Sequence, residues 1–326
     1  MTTAREVAGA SRGPGVVVAV RRPDGLTVLC RGHTDRGGRT RVTGRTRFEI
    51  GSVTKTFTAL LLATLAAEGA VDLDAPVARH LAALLPAGPH ARDVTARHLA
   101  THTAGLPRLP PGLLRHAVPR WYSNPYRTYT ADLLAARLPR TRLRHPPGHR
   151  TRYSNLGIGL LGHLLTRAAG LPYPVLLRDR VLDPLGLTDT GDSPEGQATG
   201  HWNGLPRPPW LIPALPAAGA LRSSAHDLVR YLDHLANPPT AVPPPLATAL
   251  RTVLHPGPGE APLVWAHRTV RGRDVYFHGG ATRGSTAFTG FLPHNRTAVA
   301  ALTNSGASTA GRFIQAAYLL LREHVD

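Results

Sequence analysis

The sequence predicts an α/β (α+β) fold in which strands from both ends of the chain form one sheet carrying a helical insertion. Two observations predict it. Strand-like runs lie at 15–20, 26–30 and 46–50, then return only near 263–270, 274–277, 286–292 and 297–303. Between them, from Asp72 to about Thr240, short helical patterns alternate with proline-rich loops. The 326 residues therefore read as a single catalytic-sized unit, with an α/β part at 1–70 and 258–326 and a helical part at 71–257. A site is expected in the cleft between them.

Taken in order, Gly15-Val16-Val17-Val18-Ala19-Val20 and Leu26-Thr27-Val28-Leu29-Cys30 flank the turn Pro23-Asp24-Gly25. Phe48 and Ile50 close the third run. After Gly51, apolar residues recur at Phe57, Leu60, Leu61 and Leu65, which is helical spacing, and Glu68-Gly69 supplies a stop. Further helices are expected at 130–138, 156–169, 174–183, 224–236 and 309–323.

The totals exclude several classes. Hydrophobic residues make up 42%, so the chain is globular rather than disordered. It contains no apolar run long enough for a transmembrane helix. Its first residues lack the charged start and apolar stretch of a secretory leader, so cytoplasm is the expected location. One cysteine, Cys30, leaves no internal disulfide and no multi-cysteine metal site. The net charge of +18 invites a nucleic-acid reading, but the arginines are scattered without aromatic interleaving. An arginine-biased surface is the simpler reading, and no nucleic-acid or membrane partner is expected.

Of the 38 basic residues, only Lys55 is lysine, leaving 38 − 1 = 37 arginines. Arginine cannot be deprotonated in a protein, whereas a desolvated amine can act as a base. Ser52 opens the apolar helix and Lys55 follows one turn later on the same face. That spacing pairs a nucleophile with a base at a helix N-terminus, whose field favours an oxyanion. The plainer alternative makes Ser52 an N-cap and Lys55 a solvated charge. Tyr153-Ser154-Asn155 offers a phenol for proton transfer and an amide for a substrate or for Lys55. As bare residues these fit a core tyrosine and a cap asparagine equally well. His278-Gly279-Gly280-Ala281 ends a strand, and its glycines let a substrate backbone approach. Ala281 N–H could then join Ser52 N–H in an oxyanion hole; an edge strand with an exposed histidine is the alternative.

Together, Ser52-x-x-Lys55, Tyr153-x-Asn155 and His278-x-Gly280 resemble the serine β-lactamase and penicillin-binding-protein superfamily. Tyr-x-Asn makes the chain similar to the class C β-lactamase branch, which includes esterases, D-amino-acid peptidases and transacylases. Leu99-Ala100-Thr101-His102-Thr103-Ala104-Gly105-Leu106-Pro107, Pro184-Leu185-Gly186-Leu187-Thr188-Asp189-Thr190, Ala218-Gly219-Ala220-Leu221-Arg222-Ser223-Ser224 and Leu302-Thr303-Asn304-Ser305 extend the likeness. The resemblance implies an antiparallel sheet flanked by helices and an all-helical subdomain. It implies acyl transfer through Ser52, with Lys55 and Tyr153 sharing the proton and Asn155 orienting the acyl side. Ser52 and Ala281 would form the oxyanion hole, with His278, Gly279 and Gly280 at the substrate, and with no metal or other cofactor.

The chain departs from the family where many members carry Lys-Thr-Gly and it has His278-Gly279-Gly280. Without that ammonium and hydroxyl, recognition of a β-lactam or peptide carboxylate weakens. The expectation is an intracellular esterase or transacylase of specialised metabolism, taking a small-molecule acyl donor and a water or amine acceptor. A β-lactamase or D-amino-acid peptidase is the alternative, and a catalytically silent binding protein is the third reading. Gly157-Ile158-Gly159-Leu160-Leu161-Gly162 matches a dinucleotide fingerprint but follows no strand, so close helix packing is expected instead. His98 and His102 have zinc-helix spacing with Leu99 where a glutamate belongs, so no metal is expected there.

Overall fold

The computed structural model describes residues 2–257, 259–306 and 310–325. A six-stranded sheet runs in the order Gly25–Gly32, Gly15–Arg22, Thr297–Thr303, Thr286–Leu292, Arg273–Ala281, Ala266–Val270. Every neighbouring pair is antiparallel. The register sets Val18 opposite Ala301 and Phe277 opposite Gly290.

Strand periodicity explains how this sheet is covered. Val16, Val18 and Val20 point into one apolar cluster with Phe313 and Leu321, while Val17 and Ala19 point into another with Phe57 and Leu61. Helices Ala4–Gly9 and Ala310–Arg322 cover the first face. Thr54–Ala67 and Ala225–Ala236 belong to the second. A strand buried on both faces favours a continuous apolar run over alternation, as from Ala298 to Leu302; Thr286–Leu292 is equally buried but is broken by Thr289 and Gly290.

Helix Thr54–Ala67 is buried on all sides from Thr54 to Leu65. Its threonine hydroxyls are satisfied locally: Thr56 donates to Val53 O at 2.9 Å, Thr58 to Ala217 O at 2.8 Å and Thr64 to Leu60 O at 2.9 Å. A helix can thus cross the core with hydroxyls on it, because each has a partner; the fourth, Thr54 Oγ1, accepts from Leu221 N–H at 3.1 Å.

Three expectations change in detail. The 46–50 run yields only Phe48–Glu49, which pairs with Arg222–Ser223 outside the main sheet. Glu49 is polar and needs partners that a sheet interior would not provide. The 174–183 helix divides into Tyr173–Leu177 and a wider-wound turn, Arg178–Leu182, where Asp183 N–H reaches back to Arg178 O. Short helices at Ala96–Ala100, Leu113–Ala117 and Pro244–Thr252, and a hairpin of Gly200–Trp202 with Leu205–Arg207, lie beyond the periodicity reading.

The glycines of helix Asn155–Ala169 serve close packing. A Cβ on Gly162 would lie 2.5 Å from Ala217 Cβ, and one on Gly159 would lie 2.1 Å from a Leu215 methyl. Gly162→Val should therefore lower stability by about 1–3 kcal/mol through overpacking. Urea denaturation measures this; an unchanged midpoint would contradict the packing.

Candidate active site

The chain reaches Ser52 through a turn that only glycine can make. Gly51 has φ +48°, and a Cβ there would stand 2.8 Å from Ala281 N. A Cβ on Gly280 would stand 2.0 Å from Ile50 O and 2.9 Å from Ser52 N. The end of the Arg273–Ala281 strand thus lies directly against the turn, bringing Ala281 and Ser52 together. Ser52 sits in a 3-10 turn, Gly51–Val53, ahead of helix Thr54–Ala67, and its side chain caps neither element.

Ser52 Oγ accepts a hydrogen bond from Tyr153 O–H at 2.6 Å and lies 3.0 Å from Lys55 Nζ. Lys55 is fully buried and donates to Ala218 O at 2.5 Å. Neither the N-cap nor the solvated-charge alternative therefore holds. Burial pushes the Lys55 ammonium below its ordinary range; Tyr153 opposes that shift, and the charge of Arg108 adds to it. In the neutral form the amine keeps one N–H for Ala218 O and frees a lone pair for the serine proton.

Ser154, rather than Asn155, caps helix Asn155–Ala169, accepting from Gly157 N–H at 2.9 Å and donating to Pro107 O at 2.7 Å. Asn155 is released from capping. Its Nδ2 donates to Tyr126 OH at 3.1 Å, while its buried Oδ1 has no partner among the described residues. It bonds to Tyr126 and not to Lys55. Tyr126 and Trp210 meet edge-on at 5.6 Å, and Asn124 Nδ2 donates to Leu211 O at 2.8 Å. The loops near 108–127 and 195–216 therefore join beside Asn155.

His278 is buried within the sheet, not exposed on an edge. Its Nδ1 lies 2.9 Å from Gly279 O, which can only accept, so Nδ1 carries the proton. Burial and then the charge of Lys55 hold its pKa down at about 4. His102, absent from the candidate residues drawn from sequence, sets its ring 4.7 Å from that of Tyr153, tilted by 42°. Ser154 N–H donates to its Nδ1 at 3.3 Å. Burial, Lys55 and His278 push its pKa to about 3. Both imidazoles are thus uncharged at neutral pH.

Sequence reasoning also missed what holds the turn. Glu49 is buried and accepts from Trp210 N–H at 2.7 Å, Gln197 Nε2 at 3.1 Å and Thr282 Oγ1 at 2.5 Å. Arg222, also buried, donates to Ala220 O and Trp210 O, both at 2.6 Å, and to Gln197 Oε1 at 2.7 Å. The available signal was a lone carboxylate among apolar residues just before Gly51. Among the described residues no cluster of His, Cys, Asp and Glu could hold a metal ion.

Three comparisons bear on this site. A family profile described as Beta-lactamase matches residues 2–323. A Beta-lactamase of Providencia stuartii is 30% identical over 226 residues, 68% of this chain but only 55% of that protein's length. Esterase EstB of Burkholderia gladioli is 29% identical over 274 residues, 72% of this chain and 69% of that one. Among solved structures, a beta-lactamase/D-alanine carboxypeptidase from Pseudomonas syringae superposes with TM-score 0.82 at 22% identity, covering 99% of this chain and 97% of that chain. The antiparallel sheet with flanking helices is the fold of that structure.

The neutral histidines make stability depend on pH. Unfolded, their rings gain protons near pH 6.5; folded, His278 and His102 do so only at about 4 and 3. Between those values the unfolded chain binds more protons, so stability is full above about pH 6.5 and falls as the pH drops toward 4. Thermal melts between about pH 7.5 and 4.5 should show Tm falling, less steeply in His102→Asn, a residue that tolerates the φ of +60° at this position. An equal slope in the variant would contradict the burial of a neutral His102.

Proposed function

The chain belongs to the beta-lactamase family, and on that premise we propose that it is a serine acyl-enzyme hydrolase or acyltransferase acting on a small-molecule ester or amide. The observation that carries this is Ser52 Oγ held between Lys55 Nζ at 3.0 Å and Tyr153 O–H at 2.6 Å. A serine is a weak nucleophile until a base takes its proton. Here the base is an amine whose burial favours its neutral form.

Ser52 Oγ attacks the acyl carbon while its proton enters the Lys55–Tyr153 pair, within hydrogen-bond reach on either side of it. The tetrahedral oxyanion is received by Ser52 N–H, with Ala281 N–H beside it. The proton then goes to the leaving group and the acyl-enzyme forms. Water or an amine enters next, and the same pair takes its proton as the ester to Ser52 breaks. Asn155 supplies an unpartnered carbonyl to the acyl side.

Esterase or transacylase chemistry is favoured over β-lactam hydrolysis by His278. An uncharged imidazole stands where a cation would be needed to attract a carboxylate. The likeness to a protein named as an esterase is in keeping with this. The β-lactamase reading rests on the names of other relatives, and turnover of nitrocefin at ordinary enzyme rates would restore it.

Ser52→Ala should abolish covalent labelling by a fluorophosphonate. Lys55→Arg replaces the base with a group that cannot give up its proton, and should lower ester turnover by about 10²–10⁴-fold. Full activity in Lys55→Arg would refute the base assignment. Transfer and hydrolysis separate when an activated ester is assayed with added amine: amide product supports transfer, and none at any amine concentration leaves hydrolysis alone.

A further inference from the structure

Tyr153, His102 and His278 all line one cavity of about 560 Å³, a volume suited to a small molecule. Val264, Trp265 and Phe277 give it an apolar lining. Among the described lining residues only Arg97 and Glu260 are charged. They pair with each other, and Arg97 also holds Asp74 through two bonds of 2.7 Å. Both histidines are neutral. In a chain of net charge +18, the described lining of this cavity thus carries no unpaired charge, and the guanidinium of Arg108, 5.6 Å from the Tyr153 ring, lies outside that lining.

Its wall is also strained. Five described non-glycine residues have positive φ, and two of them, His102 at 60° and Val264 at 69°, belong to this lining. A β-branched residue in that region is an outlier. Val264 N–H donates to Ala100 O at 2.9 Å, which ties the strained loop to the His102 loop. Such strain persists where the surroundings over-determine it, and it gathers at ligand sites. Position supplies the remaining argument. The departing group must sit beside the hydroxyl that protonates it, and Tyr153 is in this wall, whereas Asn155 and Tyr126 are not among the lining residues.

We propose that this cavity holds the leaving group of the acyl donor, and that this group is a neutral, ring-bearing alcohol or amine. The proposal rests on the acyl-enzyme reading above. As Ser52 Oγ bonds to the acyl carbon, the bond to the alcohol oxygen breaks. That oxygen takes the proton relayed from Ser52 through Lys55 and Tyr153, so a neutral alcohol remains in an uncharged cavity. An amine acceptor of similar shape enters by the same route in reverse.

The test uses three esters of one acyl group whose leaving groups have matched acidity: phenol, 2-naphthol and 3-hydroxybenzoate. On the full chain, kcat/KM for the naphthyl ester should exceed that for the phenyl ester by about tenfold or more, and the carboxylate-bearing ester should fall below phenyl by a similar factor. Ala266→Trp, an exposed lining position where added bulk fills the cavity, should erase the naphthyl preference. Fluorophosphonate labelling of Ser52 in the unsubstituted chain reports the acyl-enzyme separately. Labelling with no naphthyl preference, or with the carboxylate ester favoured, overturns the cavity proposal alone. Absence of labelling overturns the reading beneath it.

Discussion

The site depends on an amine kept out of water. A charged ammonium in the core would cost several kcal/mol, while a neutral amine needs only hydrogen-bond partners. Lys55 has two, Ala218 O and Ser52 Oγ, and the helix around it is otherwise closed to solvent. Arginine could not take this place, because its guanidinium stays protonated under any such burden. The local structure follows from that requirement. The helix must be buried all round, and the two imidazoles that share a cavity with Tyr153, His102 and His278, are held neutral.

Around the amine, the Glu49–Arg222 pair fixes geometry more than it adds attraction. The nearest charged atoms are 3.8 Å apart, and most of the guanidinium donors go to backbone carbonyls. Burial lowers the Arg222 pKa and Glu49 opposes that shift. Loops arriving from 197, 210, 220 and 282 are thereby held around the serine turn. A buried pair of this kind is weak evidence for net stability, but removing either partner strands the other charge at a cost of about 3–5 kcal/mol. Thr282, which follows Ala281 and donates to Glu49, ties the end of the Arg273–Ala281 strand to the serine turn.

Much of this was legible in the residues, and what was not has physical causes. The strand at 297–303 stood out because burial on both faces leaves the run from Ala298 to Leu302 apolar throughout. Helix Ala225–Ala236 stood out because it buries one face only. Elements such as Ala96–Ala100 are too short for periodicity to register. Ser52 and Lys55 could be paired because their spacing is local. Glu49 could not be assigned, since its partners Gln197, Trp210 and Thr282 lie 148, 161 and 233 residues away. His102 sat in a recognisable loop, yet its position against Tyr153 exists only in three dimensions. The choice between Asn155 as cap and Asn155 as ligand turned on Ser154 taking the cap, which neighbouring residue types alone leave undecided.

Because Lys55 is the only lysine, its ionisation can be observed without assignment. Protein grown with side-chain ¹⁵N-lysine gives a single Nζ resonance, whose titration reports the amine directly. A midpoint well below the ordinary value of about 10.4 is expected, with burial as the cause. A midpoint at or above that value would mean a permanently charged ammonium, which cannot take the Ser52 proton.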